Sequence, residues 1–228
     1  MKLERLSDRI WVLPYEERRD RPNLSYIKGD NWSLAVDAGH SADHVNDFYR
    51  ALEEERLPLP KLTVITHWHW DHTFGMHAVN GLTLASVKTN QYLSDIRKRI
   101  AEEGTGSFLD MDPSIRYEYE DGKPVIVKPA DITYSGEVML DAGNCKIRVF
   151  QAEAPHTDDS TLVFVPDEKV LILGDCTGGT FPDWKFDQDL GNKLADTIKE
   201  IGPQMCLPGH WSALSTDIII RELLEGEG

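Results

Sequence analysis

The chain alternates short apolar runs with stretches of helical periodicity. Ile10-Trp11-Val12-Leu13 reads as a first strand, stopped by Pro14. The charged residues 16–22 read as a loop. Leu24–Lys28 and residues 32–36 are rich in β-formers, and Gly29-Asp30-Asn31 between them is a hairpin signal. Ser41 can cap a helix to about Arg56, with Val45, Phe48, Tyr49 and Leu52 at helical spacing and Pro58 and Pro60 beyond it. Strands at residues 62–66 and 82–85 follow. A helix over residues 90–103 has Tyr92, Ile96 and Ile100 on one face and Gly104 as its stop.

The rhythm breaks at residues 104–124, which read as an insertion over a site or a connection between halves. Antiparallel strands are expected at Ile132–Tyr134 and at residues 137–140 and 146–150, with turns at Ser135-Gly136 and Asp141-Ala142-Gly143-Asn144. Strands at Thr161–Val165 and residues 170–173 precede an amphipathic helix, 187–201, carrying Leu190, Leu194, Ile198 and Ile201 on one face. Met205–Pro208 is a last short strand, and a helix over about 215–224 closes the chain. The two halves share this outline, and Asp37-Ala38-Gly39 and Asp141-Ala142-Gly143 repeat across them. The pattern predicts one domain over residues 1–228 with two pseudo-equivalent halves.

The formal net charge of −15 argues against general nucleic-acid binding, which depends on Lys and Arg neutralising phosphates. No apolar stretch approaches the roughly 20 residues of a membrane helix. The charged start Met1-Lys2-Leu3-Glu4-Arg5-Leu6 lacks a signal-peptide core, so a cytoplasmic location is expected. Three cysteines, Cys145, Cys176 and Cys206, with no Cys-x-x-Cys, fit buried thiols in a reducing compartment rather than a disulfide framework. A homo-oligomer is left open beside a monomer.

One stretch concentrates the chemistry. Thr66-His67-Trp68-His69-Trp70-Asp71-His72 puts three imidazoles and a carboxylate within six residues, directly after the apolar Leu62-Thr63-Val64-Ile65. Imidazole is the commonest protein metal ligand, and a carboxylate adds the charge that holds a divalent cation. Three further ligand-type residues follow strands: His156, Asp175 after Val170-Leu171-Ile172-Leu173-Gly174, and His210 after Met205–Pro208.

The set His67-x-His69-x-Asp71-His72, Pro155-His156-Thr157, Gly174-Asp175 and Pro208-Gly209-His210 resembles the metallo-β-lactamase superfamily, in that family's order and over nearly the whole chain. The resemblance implies an α+β fold, an αββα four-layer sandwich of two mixed β-sheets packed face to face with helices outside. It implies two divalent metal ions. His67, His69 and His156 would hold one, and Asp71, His72 and His210 the other, with Asp175 bridging. Zn²⁺ is the first expectation; all-nitrogen-and-oxygen ligation suits it but also Fe and Mn, so ligand type does not fix the metal. The implied activity is hydrolysis of a small-molecule ester, thioester, lactone or lactam by a hydroxide shared between the metals, with Asp71 able to take or relay a proton. The alternatives are a phosphodiesterase or nuclease of the same superfamily and a mononuclear-iron dioxygenase.

Other residues are expected nearby. Phe181, Trp184 and Lys185, in the loop after Asp175, are candidate substrate contacts. Cys176 is expected to pack rather than ligate. His40, His44 and His77 are expected at the surface or beside the ligands. Asp37 is expected either to orient a ligand imidazole or to form a turn. Trp68 and Trp70 are expected to pack behind the site or line its mouth.

Overall fold

The computed structural model describes residues 1–110 and 113–226. Its first sheet contains β1 (Glu4–Arg5), β2 (Ile10–Leu13), β3 (Leu24–Lys28), β4 (Ser33–Val36), β5 (Leu62–Val64), β6 (Leu82–Ser86) and β7 (Ile132–Tyr134), in that spatial order. The strands from β1 to β4 pair antiparallel, and those from β4 to β7 pair parallel. The second sheet contains β8 (Glu137–Asp141), β9 (Lys146–Gln151), β10 (Thr161–Val165), β11 (Val170–Gly174), β12 (Met205–Pro208) and β13 (Leu214–Ser215), ordered β13-β12-β11-β10-β9-β8. Only β11 and β12 run parallel there among the described pairs.

Parallel neighbours need crossovers, and the helices supply them. α1 (Ala42–Glu54) joins β4 to β5, and the short α2 (Trp70–Thr73) lies between β5 and β6. α3 (Val87–Glu103), α4 (Gly106–Leu109) and α5 (Pro113–Glu118) lie between β6 and β7. α6 (Gln188–Ile201) joins β11 to β12, and α7 (Thr216–Glu225) follows β13. Local chemistry marks their starts. Ser41 Oγ accepts from the amides of Asp43 and His44, Ser86 Oγ from Thr89, and Asp187 Oδ1 from Leu190.

The period-two alternation of the strands sorts the core into layers. On β4, Leu34 and Val36 face the second sheet, while Ala35 packs with Phe48, Ala51 and Leu52 of α1. On β11, Val170 and Ile172 face the first sheet, while Leu171 and Leu173 pack with Leu194, Ala195, Ile198, Ile219 and Leu223 of α6 and α7. The molecule is therefore an αββα sandwich, as expected. A one-residue slip of β4 would turn Leu34 and Val36 out of the inner layer, at about 1.5–3 kcal/mol for each apolar side chain exposed.

Two segments are more structured than the sequence showed. Residues 104–124 hold two short helices, α4 and α5, with Phe108 and Ile115 buried in one cluster with Trp70 and Phe74. Met111 and Asp112 of that segment lie outside the described residues. The charged loop 16–22 contains a 3-10 turn, Glu17–Arg19, and buries Arg21. Arg21 Nε and Nη2 donate to the two carboxylate oxygens of Glu118 at 2.7 and 2.8 Å, and Nη1 donates to Asp47 at 2.8 Å. Glu118 also accepts from Ser41 Oγ, and Tyr119 Oη donates to the His40 carbonyl at 2.7 Å. A buried charge persists only when paired in this way. The helix α3 starts at Val87, one turn before its expected start, because Ser86 supplies the cap.

Candidate metal centre

The parallel pairing of β4 with β5, and of β11 with β12, puts four carboxyl-terminal strand ends in position to feed one rim. The sheets are tied there by the Thr161 amide donating to the Thr66 carbonyl at 2.8 Å. Asp37 follows β4, the histidine stretch follows β5, Asp175 follows β11 and Gly209-His210 follows β12. Within the histidine stretch, residue 69 is extended (φ −56°, ψ 151°) and α2 begins at Trp70. That switch separates His67 and His69 from Asp71 and His72, which ride on the helical turn.

The seven sequence-predicted ligand residues converge in two groups. His67, His69 and His156 form one; Asp71, His72, Asp175 and His210 form the other. One potential ligand atom per residue lies within 4.8 Å of the others in its group. Asp175 reaches both groups. Its Oδ2 lies 3.2 Å from His72 Nε2, 3.3 Å from His210 Nε2 and 3.8 Å from His156 Nε2. Asp71 Oδ2 lies 3.0 Å from His210 Nε2 and 3.1 Å from His72 Nε2. Gly209 keeps the space open, since a Cβ there would stand 1.9 Å from Asp175 Oδ1 and 3.1 Å from the His72 ring.

Hydrogen bonds on the far side of each ring decide which nitrogen is bare. His72 Nδ1 lies 2.7 Å from Asp37 Oδ2, so this nitrogen carries the proton. His156 Nδ1 lies 2.8 Å from the Gly179 carbonyl and donates to it. Thr66 Oγ1 donates its proton to the Asp37 carboxylate at 2.9 Å and can accept one only from His67 Nδ1, 3.1 Å away. The Nε2 atoms of His67 and His156 are thereby lone pairs aimed inward, and His72 Nε2 is aimed the same way, at the Asp71 and Asp175 carboxylates. Those of His67, His69 and His72, with Asp175 Oδ1, are buried without a hydrogen-bond partner. Orphaned buried acceptors of this kind are costly, and a divalent cation in each group would satisfy them. The residues present fit two metal ions.

Asp37 serves both groups. It accepts from His72 directly and from His67 through Thr66, and the Thr66 amide also donates to it at 2.8 Å. It does so from a left-handed backbone (φ 65°), a conformation that Asp tolerates better than bulkier residues.

The two groups titrate in opposite senses. Burial, reinforced by neighbouring imidazoles, holds His67 well below the usual range and brings His69 down to about 3. Burial also lowers His156, partly offset by Asp175. In the second group burial is outweighed. The carboxylates of Asp71 and Asp175 push His72 and His210 well above the usual imidazole range, and His72 and His210 hold both acids well below theirs. The first group offers neutral nitrogen ligands, while the second holds protons that a cation would displace.

A cavity of about 580 Å³ opens over the groups. Trp184 lines it and stacks on His156, with ring centroids 5.9 Å apart. Phe181 packs edge-on against His69 at 6.1 Å and lines an adjoining depression with Trp68, Tyr92 and Leu190. Lys185 lines neither; it lies in a separate depression with Phe186 and Gln188. Trp70 is buried and stacked on His69, and Trp68 is half-buried edge-on to the same ring. Cys176 is buried, and burial pushes its thiol well up, so it packs beside Asp175 as an inert group.

His40 and His44 are fully buried rather than at the surface, because the polar network around Ser41 and Glu118 encloses that turn; His40 Nδ1 bonds the Arg19 carbonyl at 2.8 Å. His77 is half-buried and bonds the Phe74 carbonyl. Several cavity residues escaped the sequence reading: Tyr15, Glu17, Asp20, Ser114 and Trp211. Their signal, a charged loop and a lone Trp after a ligand, is common on surfaces. No lysine or arginine lines this cavity among the described residues.

Comparison with known proteins agrees with this geometry. The profile of the metallo-beta-lactamase superfamily matches residues 18–210. The acyl-coenzyme A thioesterase MBLAC2 of Homo sapiens is 20% identical over 228 residues, covering 93% of this chain and 81% of its own. A metallo-beta-lactamase from Pontibacter korlensis superposes with a TM-score of 0.71 at 16% identity, over 98% of this chain and 97% of its own. A metallo-beta-lactamase family protein from Thermus thermophilus gives the same TM-score of 0.71 at 16% identity, over 98% of this chain and 80% of its own. With the profile match spanning most of its length and the ligand-type residues gathered at one rim, the chain belongs to the metallo-β-lactamase superfamily.

Proposed function

We propose that the chain is a dinuclear metallo-hydrolase of a small-molecule acyl compound: an ester, thioester, lactone or lactam. In this reading His67, His69 and His156 hold one cation, Asp71, His72 and His210 hold the other, and Asp175 reaches both. Zinc is the proposed occupant, with iron or manganese the alternatives, since a nitrogen and oxygen ligand set suits all three. The observation that carries the reading is the inward convergence of buried Nε2 atoms and Asp175 Oδ1 without hydrogen-bond partners.

Such a pair of cations would supply a water of lowered pKa and a Lewis acid for the carbonyl oxygen. The chain's residues do the rest. Asp37, Thr66 and the Gly179 carbonyl fix the imidazole orientations. Trp184 and Trp70 wall the cavity. Asp71 Oδ2, between His72 and His210, is placed to take a proton from the attacking water and pass it on. No Ser or Cys nucleophile is needed.

Seven ligand-type residues in two groups favour this reading over a mononuclear-iron dioxygenase, which needs three. A cavity without Lys or Arg favours an acyl substrate over a phosphodiester. Within the acyl set, the thioesterase relative supports a thioester. The test is a panel of thioesters, lactones, nitrocefin and bis-p-nitrophenyl phosphate, given to zinc-loaded chain. Hydrolysis of acyl compounds but not the phosphodiester is expected. Phosphodiester turnover alone, or oxygen uptake on a thiol with one iron per chain, would overturn the proposal.

A further inference from the structure

We propose that Asn23 is a positioning residue for the second ligand group: its side-chain amide sets the backbone that carries His210 and so aims that ring at Asp71 and Asp175. The consequence for a cation rests on the two-cation reading above; the placement of the ring rests on the hydrogen bonds alone.

His210 needs support that the other imidazoles have already. His67, His72 and His156 each set Nδ1 against a hydroxyl, a carboxylate or a carbonyl at 3.1 Å or less. His210 Nδ1 has no such bond among the described residues; the Asp20 carboxylate stands 3.5 Å away, outside the range of a good N–H···O bond. Its side chain is 18% exposed, against 0% for His72 and 4% for His156, so packing confines it less. It also lies past the end of β12, in neither strand nor helix. Yet its Nε2 stands 3.0 Å from Asp71 Oδ2 and 3.3 Å from Asp175 Oδ2. The backbone on either side of it must therefore be held.

Asn23, the residue before β3, does this from the first sheet. It is buried, and its Nδ2 donates to the Pro208 and Trp211 carbonyls at 2.8 and 2.7 Å. Its backbone amide donates to the Gly209 carbonyl at 2.6 Å. Three of the four carbonyls from 208 to 211 thus converge on one residue, from both sides of His210. Oδ1 accepts from the Tyr15 amide at 2.9 Å, so the amide is fully used. These partners fix its orientation: a flipped amide would set Oδ1 against two carbonyls and Nδ2 against an N–H. On the opposite side, the Gly209 amide donates to the Gly174 carbonyl at 2.8 Å, beside Asp175. The turn is therefore clamped between β3 and the strand that delivers Asp175. No side chain of the same shape replaces Asn here. Asp keeps the acceptor for Tyr15 but turns an oxygen on the Pro208 and Trp211 carbonyls, and Leu leaves every one of these buried groups unpaired.

The test is zinc binding to the full chain in competition with a chromogenic chelator, which separates the first equivalent from the second. Asn23→Asp is expected to weaken the second equivalent at least about tenfold and to leave the first unchanged. In a His210→Ala background the same change should add nothing, because the residue it acts through is gone. Tyr26→Phe is the control for general loss of stability: it deletes a buried hydroxyl that donates to the Pro58 carbonyl at 2.9 Å on the α1 side of the first sheet, and both equivalents should survive. A second measurement needs no metal: imidazole proton–nitrogen NMR spectra of metal-free protein. The His210 signals, identified by their loss in His210→Ala, should shift or broaden in Asn23→Asp and in the milder Asn23→Ser, while those of His67 and His69 stay in place. Should Asn23→Asp fail to fold, Asn23→Ser is read in both assays. An unchanged second equivalent, equal weakening of both, a matching loss in Tyr26→Phe, or unmoved His210 signals would overturn the proposal. A single equivalent in wild type would count against the two-cation reading, and the His210 signals would then decide the role of Asn23 by themselves.

Discussion

Asp37 is a single carboxylate on which both ligand groups depend. It receives the His72 Nδ1 proton, the Thr66 hydroxyl that in turn accepts from His67, and the Thr66 amide. Asp37→Ala is expected to lower metal affinity about 10–100-fold by freeing both rings. Chelator competition against wild type measures this, and unchanged affinity would contradict the assigned role. Asp159 gives an independent prediction. It is wholly buried, and burial pushes its carboxyl up to about 6, with the Thr157 and Thr89 hydroxyls only partly opposing. The folded state therefore holds that proton more tightly than the unfolded chain, whose Asp titrates near about 4. Stability should be unpenalised below about pH 4, fall as pH rises towards about 6, and stay reduced above it. Asp159→Asn should match wild type at about pH 4 and exceed it at about pH 7.5 by about 1–3 kcal/mol. Chemical denaturation of metal-free protein at both pH values checks this. Asp37 was legible as a candidate because it ends an apolar strand in Asp-Ala-Gly. Asp159 was not, since burial of an acid leaves no mark on sequence.

At the scale of elements, the clasp between the loop after β2 and α5 holds two walls of the cavity together. Arg21 and Glu118 are 97 residues apart and buried in a two-pronged ion pair, with Ser41 and Asp47 completing it. Glu118→Ala would leave the buried guanidinium with only its bond to Asp47, at an expected cost of about 3 kcal/mol in urea unfolding. The double change Arg21→Met, Glu118→Leu should cost less, because the buried charges go together and Asp47 keeps its pair with Arg50. Equal costs would show that packing rather than pairing dominates. The longer elements were readable from their periodicity, α1 and α6 above all. The helices of residues 104–124 were not: four to six residues are too few to establish a period. The clasp was illegible for a different reason, since nothing local marks which distant acid an arginine will meet.

For the molecule as a whole, the family resemblance implied the layers, with which the strand and helix order was compatible, and the motif order implied which strand ends meet. The cavity's charge could not be read, because it depends on where the arginines of one loop turn. The closing of two sheets onto one rim also couples metal binding to protons. His72 and His210 are pushed up by Asp71 and Asp175, so protons compete with cations at the second group. Metal affinity should therefore be weaker at about pH 6 than at about pH 8, with proton release on binding measurable in two buffers of different ionisation enthalpy. The most direct test of the two-cation account is metal stoichiometry by elemental analysis on zinc-reconstituted wild type, His67→Ala and Asp175→Ala, with thioester hydrolysis assayed on the same samples. The account predicts two equivalents and turnover in wild type, a lost first site in His67→Ala, and loss of both metal retention and activity in Asp175→Ala. One equivalent in active wild type, or two equivalents with full turnover in Asp175→Ala, would contradict it.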